Sequence, residues 1–572
     1  MTRTHKSLAA LSLLLLSLSN LLGGINCFAA ATANNINNHI NNPLRSETNA
    51  PRFASSPGSS PDTTSTGNGS KKENDSEQMT RDKAIVVGGG PVGLAAALML
   101  SNAPHNYDVT VYEASTKEDY QEFDPAKAYL YLLNERGQVF TKQYPKLHQT
   151  VRDYSVPSTT GFVRVPADPS ETIPEPKVFT ANPTNKKKAK DVSEGDPGQI
   201  GNEIAEEPGY WIQRHLFSNL LLEAVEEQEK ERSSSKNESQ QGSITCHFGT
   251  KCLDVFPTKD NSSVTVRTTS TNSAGDSEGS VATASLVVAG DGLNSKVREC
   301  LATDNNKSES YASFANLDPK YRSKQFKVKK YRNPATNLRL KALKLPPNFP
   351  MNDETNDSGT QTTTGEISYS ISGLATGPRD FLRLGCLPCK QLNTNQLQER
   401  PANAITRPDH VIWKIKDGEE MRNWFQNNFP RMNFKPQSEG GMIADAEWER
   451  FAKAEGIRFP HDQYSPALQV SLDTTTTSDK TNDSSNKDCG IVLLGDAAHA
   501  FPPSIGQGIN SGLADVIQLD KSLRGSTESG DNKEQERRPS LSQALKHYEQ
   551  IQAPETKALI RLARFGSPYQ YR

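Results

Sequence analysis

Short unbroken apolar runs mark three places in this chain: Ala84–Val87, Leu286–Ala289 and Ile491–Leu494. None shows the in-out alternation of a half-exposed strand, so each reads as a strand buried on both faces, as in a parallel sheet. Behind the first run, Leu94–Leu100 is a compact apolar helix pattern; behind the third, Leu513, Val516, Ile517 and Leu519 recur at helical spacing. Tyr210–Glu227 carries Leu216, Leu220, Leu221, Ala224 and Val225 at the same period and predicts an amphipathic helix. Shorter signals predict strands at Phe162–Val165 and Val264–Arg267, and a helix start near Asn134 after the apolar run before it. From Tyr311 to about Phe459 the pattern changes. Glu366–Ser372 and Asp380–Leu384 alternate, which predicts a mostly antiparallel sheet and hence a second domain, with a helix over Trp424–Phe429 beside it.

The first run leads into Gly88, Gly90 and Gly93 in G-x-G-x-x-G spacing, then a helix, then a second strand, Asp108–Tyr112, ending on Glu113. Each part has a physical job in holding an ADP moiety. Gly88 permits the tight turn, Gly90 lets backbone N–H groups approach a pyrophosphate, and Gly93 lets the helix pack on the sheet with its positive end toward the phosphates. Glu113 is placed to accept from ribose hydroxyls. The second run ends in Gly290-Asp291-Gly292, an acid at the mouth of a sheet, where ligands bind; an ordinary tight turn is the alternative. The third ends in Gly495-Asp496, with a carboxylate free for a polyol hydroxyl, and Gly506-Gln507-Gly508 then opens a helix whose start offers unpaired N–H groups. Such a terminus favours the negative charge that a reduced isoalloxazine carries at N1 and O2. His499, next to small alanines, reads as a packed histidine rather than a base. Arg214 near a helix start suits a phosphate or flavin edge as well as it suits a surface salt bridge.

Composition changes the picture mainly at the N-terminus. Lys+Arg is 65 and Asp+Glu is 67 in 572 residues, so the overall charge points to neither nucleic acid nor an anionic membrane. A basic head, the leucine-rich run Leu8–Leu22 and small residues after it read as a signal peptide over 1–27. The Asn-, Ser- and Thr-rich, acid-poor stretch behind it, within 28–79, reads as a transit segment, which together predict delivery to a plastid; secretion into the endomembrane system is the alternative. Lys186–Lys188 sits in a proline-rich insert and reads as a solvated loop. Cys386-Leu-Pro-Cys389 has redox or zinc spacing, but no second pair exists to complete a metal site.

GGGPVG at Gly88–Gly93, AGDG at Ala289–Gly292 and LLGDAAHA…GQGIN at Leu493–Asn510 together resemble the single-component flavoprotein aromatic hydroxylases, the group of p-hydroxybenzoate hydroxylase. Within the group, LLNERG at Leu132–Gly137, GPRDFLRLGCLP at Gly377–Pro388 and WFQNNFP at Trp424–Pro430 are most similar to kynurenine 3-monooxygenase. The resemblance implies an α/β fold: a Rossmann-like FAD-binding domain over 80–310 and 460–524, an inserted substrate domain over 311–459 with a mostly antiparallel sheet, and a C-terminal helical segment over 525–572. It implies FAD contacts at Val92, Tyr112, Glu113, Ala114, Arg214, Asp496, Ile509 and Asn510. To these the reading of the motifs adds Gly88, Gly90, Gly93, Asp291, Gly495 and Gly508. The implied reaction uses NAD(P)H and O2 to hydroxylate a small, electron-rich substrate, with no side-chain nucleophile or metal. An epoxidase or reductase of the same fold, acting on an isoprenoid or quinone precursor, stays open. Three departures bear on the substrate. The group's carboxylate-binding arginine falls near Gly161, Ser504 and Ile505 stand where it has paired phenylalanines, and no asparagine follows Asn532 to match its C-terminal substrate asparagine. After Leu519 no apolar run approaches spanning length, so no membrane anchor is expected.

Overall fold

The computed structural model describes residues 81–121, 129–178, 207–234, 241–271, 279–303, 313–317, 321–374, 381–390, 399–472, 488–525 and 538–565. The expected signal and transit segments and Lys186–Lys188 lie outside these residues. In chain order the first part supplies β1 (Lys83–Val87), α1 (Pro91–Ser101), β2 (Asp108–Tyr112), β3 (Leu130–Leu133) and α2 (Glu135–Thr141). It continues with β4 (Val163–Val165), β5 (Tyr210–Gln213), α3 (Arg214–Ser234), β6 (Ile244–His247), β7 (Leu286–Ala289) and α4 (Lys296–Thr303). The middle supplies β8 (Arg339–Leu345), β9 (Tyr369–Ser372), β10 (Arg383–Cys386), β11 (Arg400–Thr406), α5 (Gly418–Asn428), α6 (Asp445–Lys453) and β12 (Ile457–Arg458). The last part supplies β13 (Gln469–Leu472), β14 (Cys489–Leu493), α7 (Gly508–Arg524) and α8 (Leu541–Phe565).

The three apolar runs lie side by side. The main sheet has the order β13-β14-β7-β1-β2-β6 and is parallel except for β13, which pairs antiparallel with β14. Its register puts Leu493, Ala289, Val87 and Tyr112 in one cross-strand row. The segments leaving these strands, at Gly495, Gly290, Gly88 and Glu113, therefore emerge at nearly one level on the carboxyl edge. Burial on both faces explains the unbroken apolar runs: Val86, Val288 and Val492 are each 0% exposed.

The second sheet has the order β12-β8-β11-β10-β9-β4 and is antiparallel throughout except between β9 and β4. Helices α5 and α6 cover one face, burying Phe425, Trp448 and Phe451 against Leu343, Leu384 and Ala402 in a separate core. Each such large side chain contributes roughly 1.5–3 kcal/mol.

Two expectations need correction. The helix predicted from Tyr210 begins at Arg214, because Tyr210 and Ile212 alternate inward and pair with β3 as strand β5. And β4, expected within the first domain, joins the second sheet beside β9, because Val163 and Val165 complete that core. Among the described residues no helix is long and apolar enough to cross a membrane.

Candidate functional site

The glycine turn after β1 shows three different constraints. Gly88 has φ +96°, and a Cβ there would lie 2.6 Å from the Gly290 carbonyl oxygen. A Cβ on Gly93 would sit 1.9 Å from the Gly88 carbonyl oxygen, so only glycine lets α1 approach β1. A Cβ on Gly90, by contrast, meets no described atom within 4 Å. The turn is tight at its base and open at its crest, where a ligand's phosphates need backbone access. Gly90 is also the cap position of α1, whose first turn has no side-chain cap and no acid. Glu113 faces this turn, its Oε2 accepting from the Gly89 N–H at 2.8 Å and its Oε1 from the Ser115 N–H at 2.9 Å. Tyr112 stacks on His247 at 5.5 Å, and Ala114 is exposed just beyond.

Asp291 is fixed from its own side of the sheet. Its Oδ2 accepts from the N–H groups of Lys296 and Val297, at 2.6 and 3.1 Å, and so caps α4. The tight-turn alternative therefore describes half of what this acid does; its Oδ1 is buried with no protein partner among the described residues. Burial raises its carboxyl above the usual range, against the pull of those hydrogen bonds. Arg298, which sequence reasoning passed over, ties two of the loops together: its Nη1 donates to the Ala497 carbonyl and its Nη2 to that of Leu293, at 2.5 and 2.7 Å.

Asp496 occupies the centre of the mouth. It touches solvent, yet enough protein surrounds it that desolvation raises its carboxyl above the usual range, opposed by His499, Arg214 and Arg298. Gly495 takes φ +56° to make this turn, and Val92 packs against it: a Cβ on Gly495 would lie 3.1 Å from Val92 Cγ2. Behind the turn, buried Asp515 accepts at Oδ2 from the Gly495 N–H and from His499 Nε2, both at 2.8 Å. Gln552 of α8 donates to its other oxygen. His499 is buried in this network, as a packed histidine should be. Asp515 was missed as well; an acid set among Leu513, Val516 and Ile517 on the apolar stripe of α7 was the available signal.

Arg214 opens α3 with its guanidinium 5.5 Å from the centre of the Tyr129 ring, and Tyr131 stands 5.6 Å from Tyr129. The fields of Arg214 and Asp496 both reach these two tyrosines, so strand β3 and the turn after β14 converge on one place. At the start of α7, Gly508 is exposed and open, and no side chain caps the helix. Ile509 is buried, and Asn510 differs from a simple contact residue. Its Nδ2 donates to the carbonyls of Leu132 and Gly506, and its Oδ1 accepts from the Asn134 N–H. That side chain locks β3 to α7, leaving its backbone at the helix start.

Residues 452–547 match a family model described as an FAD binding domain. That match spans β13, β14, the turn of Asp496 and α7. Among solved structures, that of 2-methyl-3-hydroxypyridine-5-carboxylic acid oxygenase is similar over 85% of this chain and 90% of that one, at 15% identity and a TM-score of 0.48. PqsL, a probable FAD-dependent monooxygenase from Pseudomonas aeruginosa, is similar over 85% of this chain and 95% of its own, at 15% identity and a TM-score of 0.43.

The mouth of the main sheet fits FAD by its own features. Two helices, α1 and α7, begin there without side-chain caps, so their first N–H groups and partial positive charge suit the pyrophosphate and the electron-rich flavin edge. Gly90 and Gly508 are open at those starts. Glu113 and Asp496 carry acceptors of the kind ribose and ribityl hydroxyls need, and Arg214 adds a cation beside Tyr129.

Proposed function

We propose that this protein is an FAD-dependent monooxygenase that uses NAD(P)H and O2 to hydroxylate a small aromatic substrate. The observation carrying the reading is the level row of turns at the mouth of the sheet, where the exposed, partly desolvated Asp496 accompanies two uncapped helix starts. The order of the motifs along the chain, like that of the flavoprotein aromatic hydroxylases, supports hydroxylation over other flavin chemistry. The likeness to kynurenine 3-monooxygenase supports a related protein; Gly161 near the place of the group's arginine, with Ser504 and Ile505 for its phenylalanines, supports a different substrate. The N-terminal 79 residues support delivery to a plastid.

When bound, FAD supplies the redox chemistry. The protein's residues do the rest. Glu113 and Asp496 hold hydroxyls, the start of α7 favours negative charge on the flavin edge, and the Asp515–His499–Gln552 network keeps the Asp496 turn in place. The test is to purify the protein without its first 79 residues, record flavin absorbance, and screen aromatic acids, phenols and quinone precursors for faster NADPH oxidation. Accelerated oxidation with oxygen recovered in the product is expected. A folded protein that takes up no FAD, or one whose product carries no oxygen, overturns the reading.

A further inference from the structure

The stretch from Tyr321 to Asn352 carries nine cations and no acid, in a chain whose formal net charge is -2. Lys341 is buried and Lys344 pairs with Glu399, so both are held within the fold. Lys324, Lys327, Lys329, Lys330 and Arg332 differ from them. All five are exposed, and among the described residues none meets a carboxylate at ion-pair distance.

These cations gather at the edge of a small sheet. Lys329–Tyr331 is a short strand that pairs antiparallel with Asp462–Tyr464, which pairs in turn with His499–Ala500. Lys329–Tyr331 is the end strand, and among the described residues no strand covers its far side. Lys329 is level with Tyr464 and shares its side of the sheet with Tyr331, whose ring stacks on that of Tyr464 at 6.3 Å. Lys330, level with Gln463, points to the other side. Arg564 adds charge over the first side. Its guanidinium lies 4.3 Å from the centre of the Tyr331 ring and 4.8 Å from that of Phe565, and its buried Nε has no partner among the described residues. Phe565 itself is 68% exposed. Asp462, the acid of the middle strand, is buried, and its Oδ2 accepts from Asn333 Nδ2 at 2.6 Å.

Lysines on an open edge discourage pairing with an ordinary strand, because pairing would strip water from their charges. The same lysines favour a strand that brings carboxylates to both sides of the edge. Successive residues of an extended peptide point to opposite sides, so two adjacent acids meet Lys329 and Lys330 at once. A second copy of this edge would set like charges opposite one another, which is destabilising. A flat anionic surface would meet the charges but leave the N–H and C=O groups of the edge unpaired. Lys329, Tyr464 and His499 stand in one cross-strand row, so the edge belongs to the same small sheet as the network behind Asp496.

We propose that Lys329–Tyr331 is a docking edge for an acidic segment of a partner protein, taken up as an added strand beside Lys329 and Lys330 and flanked by Arg332, Arg564 and Phe565. This edge does not depend on the monooxygenase reading.

The test uses the full chain and a fluorescein-labelled eight-residue peptide, four consecutive glutamates between Thr-Val and Val-Thr ends, followed by anisotropy. A glutamine version of the peptide should bind at least about tenfold more weakly, and raising sodium chloride from about 0.05 to 0.3 M should weaken the acidic peptide severalfold. Methylating the backbone nitrogens of two adjacent glutamates removes an N–H from each edge of the peptide and should also weaken it about tenfold. Lys329→Glu and Lys330→Glu should each weaken binding about threefold and together about tenfold. Lys453→Glu, at an exposed cation on α6, should leave it unchanged. All three lysines are exposed, so unchanged melting curves will show that the variants fold. Amide hydrogen exchange over 328–332 should slow when the peptide is bound. Equal binding of the glutamate and glutamine peptides, or of wild type and the double variant, overturns the proposal. Binding that survives N-methylation without slowed exchange is a loose charge contact and overturns the added strand. Retention on phosphatidylserine vesicles through the same lysines, with no peptide binding, makes the edge a membrane surface and overturns it too. None of these measurements involves flavin, so their failure leaves the monooxygenase reading as it stands.

Discussion

Asp496 combines two properties that seldom meet in one carboxylate, contact with solvent and a pKa raised by desolvation. If its oxygens accept from ribityl hydroxyls of FAD, Asp496→Ala leaves buried ligand groups without a partner. Losing a hydrogen bond to a charged group costs about 1.5–3 kcal/mol, or roughly ten- to a hundredfold in affinity. Asp496→Asn keeps the size and an acceptor and should lie between. Flavin titrations of the three apoproteins, alongside melting curves, check this. A purely bracing role would lower thermal stability equally with and without FAD and leave affinity untouched. Asp291 makes the contrast at the same scale: its Oδ2 is committed to capping α4, so the sequence motif was legible while the division of labour between its two oxygens was not.

At the scale of elements, α7 joins the pieces. Its start is uncapped, Asn510 locks it to β3, and Asp515, about one and a half turns farther along, holds the turn after β14 through Gly495 and His499. Gln552 anchors the same carboxylate to α8. For His499, burial lowers the pKa, but the neighbouring Asp515 outweighs it and the net shift is upward. A histidine whose folded value lies above its unfolded value of about 6.5 contributes stability that is fully present below that pH. The contribution is lost as pH rises through the folded value. His499→Gln retains a donor for Asp515 without the titration, so its unfolding free energy should stay flatter as pH rises from about 6 to 8, where the wild type declines. Denaturant melts across that range decide it; a wild type that gains stability relative to the variant as pH rises contradicts the assignment.

For the whole molecule, the proposed cofactor site draws on segments far apart in the chain: 83–113, Arg214, 286–298 and 491–510. A ligand touching all of them holds the first core together, because those segments share one hydrophobic cluster. FAD at about 100 times its dissociation constant should add roughly 2.7 kcal/mol to stability by mass action. The melting temperature should rise accordingly, and Asp496→Ala should show a smaller rise at the same FAD concentration. An FAD-independent melting temperature in a protein that binds FAD would mean that the site is equally formed after unfolding, against the geometry described here.

The amino-acid sequence by itself determined the parallel strands, the glycine turn and the placement of Glu113 and Asp496. These depend on local periodicity and on residues whose conformational needs are intrinsic, such as Gly88 at φ +96° and Gly93 packed against the turn. Only the tertiary structure decided what those pieces face. Nothing local to Asp515 says that its carboxylate reaches Gly495, since the partners are 20 residues apart and meet only when α7 packs behind β14. Tyr210–Gln213 reads as helix until β3 supplies the hydrogen bonds that make it a strand. Phe162–Val165 and Phe381–Leu384 are more than 200 residues apart, and each alone is a short alternating strand. They come together because β9 lies between them, a pairing set by the register of the sheet and by the core beneath it.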